Sequence, residues 1–174
     1  SAVAILAADD VILNANGAID LGASTISGNL AVTATGAITD SGALNITGTT
    51  TLAAGSANAI TLDDANDFGG AVSITTGRDV TLNDTGAIDV GASTISGNLA
   101  VTAAGGITDS GALDVSGTTR LAAGSANDIL LDAANTFVGA VSVTSANDVT
   151  LNDSGAIDFG SSMISGNLAV TANG

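Results

Sequence analysis

A 69-residue sequence repeat is the strongest constraint on this chain. The phrase GASTISGNLAVTA occupies residues 22–34 and returns unchanged at 91–103, and GSSMISGNLAVTA at 160–172 is a third copy. Within each repeat, short runs of alternating apolar and polar residues end in Gly, Asn, Asp or Ser. Units of about 20–27 residues built in this way are typical of a solenoid, in which each unit packs against its neighbours along the chain.

Recurring glycines at the beginning of each alternating run divide the chain into predicted coils. These coils are residues 1–27, 28–47, 48–69, 70–96, 97–116, 117–138 and 139–165, with a partial coil at 166–174. One 20-residue, one 22-residue and one 27-residue coil then make one 69-residue period of three coils. The extra residues of the longest coil, GASTIS, are interpreted as an insertion that forms a fourth short strand or a ridge. We therefore predict a single β-helix segment over residues 1–174, as a window of a longer array.

The alternation has a period of two, which favours strands over helices. The runs are about five residues long, too short for stable helices, and they are rich in Val, Ile and Thr, which suit a pleated surface. We predict an all-β fold, a right-handed parallel β-helix of about seven coils stacked ~4.8 Å apart. A left-handed β-helix and an antiparallel sandwich are the alternatives, but no hexapeptide period is present and a sandwich does not require an identical inward column in each unit. The first predicted inward column is Val3, Leu30, Thr50, Val72, Leu99, Thr119, Val141 and Leu168.

The composition excludes several function classes. The chain has no His, Cys or Lys, so the usual general bases and nucleophiles are missing and we expect no enzyme. Its formal net charge of −15 argues against nucleic acid and anionic membrane surfaces as partners. No apolar run approaches the ~18–20 residues of a membrane span, so we expect no membrane insertion.

Aspartates recur after the second strand of successive coils and form the candidate metal site. If the coils stack in register, these carboxylates make a ladder at ~5 Å spacing, and Ca²⁺ prefers such oxygen ligands. The alternative is that Asp serves as a turn residue that caps nearby N–H groups. No cofactor other than Ca²⁺ is expected. The ladder consists of Asp40, Asp63, Asp64, Asp84, Asp109, Asp132 and Asp153.

A column of threonines gives a second binding hypothesis. Flat arrays of Thr can bind ice, although exposed Thr in strands needs no special cause. This column is interrupted by Leu130. It consists of Thr39, Thr61, Thr81, Thr108 and Thr150.

The stretch GNLAVTATGAITDSGALNITGTTTLAA, residues 28–54, resembles the repeats of large secreted bacterial exoproteins of the filamentous haemagglutinin type and of related β-strand-repeat adhesins. The resemblance covers essentially the whole chain. It implies a β-helix that is exported to the cell surface and acts as a stalk, a fibre or a matrix component. The secretion domain of that family is not among these residues, so the resemblance leaves the export route open.

Together these observations predict an extracellular structural protein that forms a stiff fibre or matrix filament. We expect self-association, end to end or lateral, because predicted coils without polar caps expose an apolar cross-section and unpaired strand edges. Two alternatives are carried forward: a spacer in the stalk of a bacterial adhesin, whose host ligand the sequence does not identify, and a Ca²⁺-binding or ice-binding solenoid module.

Overall fold

The alternating runs fold as twenty short strands that wind into three-sided turns. The computed structural model describes Ser1–Gly174 and contains no helix. The first face carries β1 (Val11–Ala15), β4 (Leu30–Ala34), β7 (Thr50–Ala53), β9 (Val72–Thr76), β12 (Ser93–Ile95) and β15 (Leu113–Val115). The second carries β2 (Ile19–Leu21), β5 (Ile38–Asp40), β10 (Val80–Asp84), β13 (Leu99–Ala103), β16 (Thr119–Ala122) and β18 (Val141–Ser145). The third carries β3 (Ser24–Ile26), β6 (Leu44–Ile46), β11 (Ile88–Val90), β14 (Ile107–Asp109), β19 (Val149–Asp153) and β20 (Leu168–Ala172).

Two longer strands each turn a corner of this prism. β8 (Ile60–Phe68) runs from the second face to the third, and β17 (Ile129–Phe137) runs from the third to the first. All strand pairs are parallel. Because pairing continues around the corner between β9 and β11, the strands join into sheets of eleven and nine members. The predicted class, an all-β parallel β-helix, is therefore confirmed; its handedness stays a prediction.

The predicted 27-residue coils are wrong. Paired residues lie between 18 and 23 positions apart throughout, which gives about eight turns of about 20 residues. Leu30, Thr50 and Val72 are stacked as predicted. Val72 then pairs with Val90 rather than with Leu99, Val141 pairs with Phe159 rather than with Leu168, and Val3 pairs with Leu21 rather than with Leu30.

The error comes from the GASTIS segment, which is a strand of the regular winding and not an insertion. In β3 the first inward residue is Ser24, so the apolar alternation that marks the other strands is hidden. The Ser24 hydroxyl is buried, donates a hydrogen bond to the Gly22 carbonyl at 2.8 Å and accepts one from the Ile5 amide at 3.0 Å. Ser93 of β12 makes the same bonds, to Gly91 and from Ile74. A fully paired serine thus replaces an apolar residue in the core.

Successive repeats are rotated by one face. One repeat contains ten strand segments, β1 to β9 with β8 counted on two faces, and three segments make a turn. A repeat is therefore three turns and one third, not three coils. Equivalent residues show this directly: the pairs Val11–Leu30, Val80–Leu99 and Val149–Leu168 have the same sequence spacing but lie on the first, second and third faces.

The interior is one continuous apolar column. Thirty-six buried hydrophobic residues form a single cluster that runs through the turns. Leu, Ile and Val supply most of it, and Phe68 and Phe137 fill the corners at the ends of β8 and β17. Burial is lower at both ends, where the inward residues Val11 and Leu13 of β1 are only half-buried and the inward residue Leu168 of β20 is 47% exposed. The structure has no helix that could cross a lipid bilayer.

Candidate functional site: polar networks at the corners of the rod

A buried asparagine organises the corner that β8 turns. Asn66 is fully buried. Its side-chain oxygen accepts a hydrogen bond from the Leu44 amide at 2.8 Å, and its side-chain nitrogen donates to Asp40 Oδ2 at 2.7 Å. Asp40 also accepts the backbone amides of Asp63 at 3.0 Å and Asp64 at 3.3 Å. The network therefore holds the bulge at residues 63–65, which lies opposite the single residue between Leu82 and Asp84 of β10.

The same network recurs one repeat later, at the next corner of the prism. Asn135 accepts from the Leu113 amide at 2.8 Å and donates to Asp109 Oδ2 at 2.7 Å. Asp109 Oδ1 accepts the amides of Asp132 at 3.0 Å and Ala133 at 3.3 Å. Ala133 stands at the position of Asp64, and its backbone amide still donates to the aspartate. The network therefore requires the backbone amide at this position and not the side chain.

A second aspartate of each network points into the core. Asp84 is 2% exposed and accepts the amides of Phe68 at 2.9 Å and Gly86 at 2.6 Å. Burial raises the pKa of Asp84 above its ordinary value, the two backbone hydrogen bonds oppose this shift, and the negative charge of Asp67 adds to it. Asp153 is equally buried and accepts the Gly155 amide at 3.0 Å, but its Oδ2 atom has no partner.

Asp40 has a raised pKa for the same main reason. Burial of the carboxyl group is the largest cause, and its hydrogen bonds from Asn66, Asp63 and Asp64 lower the pKa in part. The nearby charge of Asp64 raises it further. The corner network around Asn66 therefore contains two carboxyl groups, those of Asp40 and Asp84, that are less acidic than aspartates in water.

The structure does not bring the seven predicted ladder residues into one line. Asp40, Asp63 and Asp64 lie at one corner, Asp109 and Asp132 lie at the next, and Asp84 and Asp153 are turned inward. The rotation of each repeat by one face causes this division. No three acidic side chains come together in a way that could hold a metal ion. The contacts of Asp40 and Asp109 are those of carboxylates that cap backbone amides; Ca²⁺ binding by the set stays a prediction.

The threonine column is divided in the same way. Thr39, Thr61 and Thr81 are neighbours on the second face. Thr108, Leu130 and Thr150 are neighbours on the third. Each face therefore has at most three consecutive members of the predicted column.

A further polar ladder, which sequence reasoning missed, runs along the outside of a corner. Asp79 Oδ1 accepts the Asn98 amide at 3.0 Å and the Asn98 side-chain nitrogen at 3.2 Å. Asn98 in turn accepts the amide and hydroxyl of Thr118, both at 2.9 Å. The amide of Asn98, helped by Arg78 at 2.7 Å, lowers the pKa of Asp79. Asp10, Asn29 and Thr49 make the same ladder one repeat earlier.

The signal for this ladder was present in the repeated phrase. Asn29, Asn98 and Asn167 each follow the glycine of an SG turn, and the Asp that each of them contacts precedes it in the chain by a constant spacing of 19. The same spacing separates directly paired residues of adjacent turns, such as Val11 and Leu30. The predicted 27-residue coils hid this relation.

The fold and its corner networks define a repeat protein of the parallel β-solenoid class. Residues 8–75, 77–144 and 146–174 match the family described as repeats of unknown function, DUF5649. The matches follow the sequence repeat and together cover most of the chain, so the chain belongs to this family. Searches of curated proteins and of solved structures found no match.

Proposed function

We propose that this chain is a structural segment of an extracellular fibre. The observation that carries the proposal is the rotation of each repeat by one face, which distributes every recurring surface feature around the rod. A binding or catalytic protein instead concentrates its groups in one cleft. The resemblance to secreted bacterial exoproteins supports the extracellular location.

The backbone supplies the stiffness that such a fibre needs. The chain makes 106 backbone–backbone hydrogen bonds, most of them between stacked turns, and the core column continues through all complete turns. About eight turns at ~4.8 Å each give a rod roughly 38 Å long. The acidic surface, with a net charge of −15, keeps such rods soluble.

End-to-end association extends the fibre in this proposal. β20 pairs with β19 alone, and its inward residues Leu168 and Val170 are 47% and 40% exposed. At the opposite end β1 pairs with β4 alone, and its inward residues Val11 and Leu13 are only half-buried. A contact between these two ends is head-to-tail and does not close, so it generates a filament.

Electron microscopy of the purified chain tests the filament. We expect thin filaments whose length increases with protein concentration. Val170→Asp places a charge on the apolar end and should leave single short rods, whereas the matched variant Thr171→Asp, on the outer side of the same strand, should still form filaments. Single rods from the unmodified chain at all concentrations, or equal filaments from both variants, would show that the ends do not stack.

A further inference from the structure

One surface cavity lies apart from the corner networks. It has a volume of about 480 Å³ and opens on the outside of the second face, over β16 and β18. Arg120, Ser142, Thr144, Ser161 and Met163 are among its eight lining residues. None of the eight is acidic, although one residue in ten of this chain is Asp. The cavity is therefore an acid-free patch on an acidic rod.

Arg120 provides the charge of this cavity. The chain has two arginines, and Arg78 is paired with Asp79 at 2.7 Å. Arg120 is exposed and makes no ion pair. Its neighbours in the sheet are Ala100 on one side and Ser142 on the other, so no carboxylate lies beside it in the ladder. A guanidinium group without a carboxylate partner is free to bind one.

Three lining residues are departures from the repeat, and they converge here. Arg120 stands where the preceding repeat has Thr51, Ser161 where it has Ala92, and Met163 where it has Thr94. The chain has two cavities, and neither includes these three earlier residues. The three substitutions come from two different turns of the solenoid and meet at one place.

We propose that this cavity binds a small hydroxylated carboxylate, such as a sugar acid. The guanidinium group of Arg120 offers the paired donors that fit a carboxylate. The hydroxyls of Ser142, Thr144 and Ser161 both donate and accept hydrogen bonds, which suits a ligand with several hydroxyl groups. The thioether of Met163 provides an adaptable apolar wall for the carbon frame of the ligand. The volume is within the range of small-ligand pockets, ~300–1,000 Å³.

An NMR titration of the intact chain with galacturonate tests the site. We expect saturable shifts of the Arg120 side-chain N–H and of the Met163 methyl group. Galactose, which has the hydroxyls but no carboxylate, should bind at least ~10-fold more weakly, since a charge-assisted hydrogen bond is lost. Acetate, which has the carboxylate but no hydroxyls, should also bind more weakly.

The repeat supplies matched variants. Arg120→Thr restores the residue of the preceding repeat and should weaken galacturonate binding by ~10-fold or more, as read from the Met163 methyl shift. Thr51→Arg introduces an exposed guanidinium group at the equivalent position of the preceding repeat. Ala92 and Thr94 stand there in place of Ser161 and Met163, so this variant should create no second site. Absence of saturable shifts, equal binding of galactose, unchanged binding by Arg120→Thr, or a second site of equal affinity in Thr51→Arg would each overturn the proposal.

Discussion

Replacement of Asn66 by alanine tests the corner network most directly. The substitution removes the acceptor of the buried Leu44 amide, at 2.8 Å, and the donor to Asp40, at 2.7 Å. A buried amide left without a partner costs about 1–3 kcal/mol, and a hydrogen bond to a charged group contributes about 1.5–3 kcal/mol. The two losses share one site and do not add fully. We expect the free energy of unfolding to fall by about 3 kcal/mol.

Urea unfolding followed by circular dichroism measures this change, and Asn45→Ala is the matched control. Asn45 is exposed on β6, beside the buried Leu44, and the next repeat has Asp114 at its position. Its replacement should change stability by less than about 0.5 kcal/mol. Hydrogen exchange adds a local reading, because the Leu44 amide should lose protection in Asn66→Ala more than the amides of distant turns do.

The result that refutes this reasoning is equally specific. If the free energy of unfolding of Asn66→Ala is within about 0.5 kcal/mol of that of the unmodified chain and the Leu44 amide stays protected from exchange, the network does not hold the corner. The equivalent substitution Asn135→Ala provides an independent repetition, since Asn135 makes the same two bonds with Leu113 and Asp109.

Three further predictions test the register, the buried hydroxyls and the buried carboxyls. Cysteines introduced at Thr81 and Ala100, which are direct neighbours, should form a disulfide under mild oxidation. Cysteines at Ser73 and Ala100, which would be neighbours only if the coils had 27 residues, should not. The opposite result on reducing and non-reducing gels would disprove the register. Thr50→Val should raise the free energy of unfolding by about 1 kcal/mol, because the Thr50 hydroxyl is buried without a partner, and a lower midpoint in urea would contradict this. The raised pKa of Asp84 means that this carboxyl group binds a proton more readily in the folded chain than in the unfolded chain. The contribution of Asp84 to stability should therefore increase as the pH falls from neutral through the raised pKa toward the ordinary Asp value. Thermal melts should show a smaller gain in stability for Asp84→Asn, and an equal gain in both proteins would argue against this role of Asp84.

Most of the core was predictable from the sequence, because its strands carry two apolar residues at alternate positions. Leu30 and Val32 in β4, like Leu99 and Val101 in β13, show this pattern and are buried. Even the polar member of the column, Thr50, was placed inward correctly. Hydrophobic alternation fixes which side of a strand faces the core, and it does so without knowledge of the partner strand.

The length of the turn was not predictable from the same pattern. Alternation within a strand does not show which strand lies above it. A 69-residue repeat also suggests, wrongly, that each repeat contains a whole number of coils. Ser24 and Ser93 concealed one strand in each repeat, because their inward hydroxyls are satisfied by local hydrogen bonds. Once that strand is counted, the predicted Asp ladder divides between different corners. The expectation of a single line of carboxylates was therefore wrong because the predicted register was wrong, and Ca²⁺ binding by these residues stays a prediction.

The fractional repeat has a mechanical consequence for the rod. The bulged residues at each corner network, 63–65 in one repeat and 132–134 in the next, enlarge the corner at which they lie. If a repeat were three whole turns, these enlargements would lie along a single edge and the rod would bend away from it. Because each repeat advances by one face, the enlargements fall on successive corners and their bending effects act in different directions. Ten strand segments per repeat, rather than nine, therefore favour a straight rod.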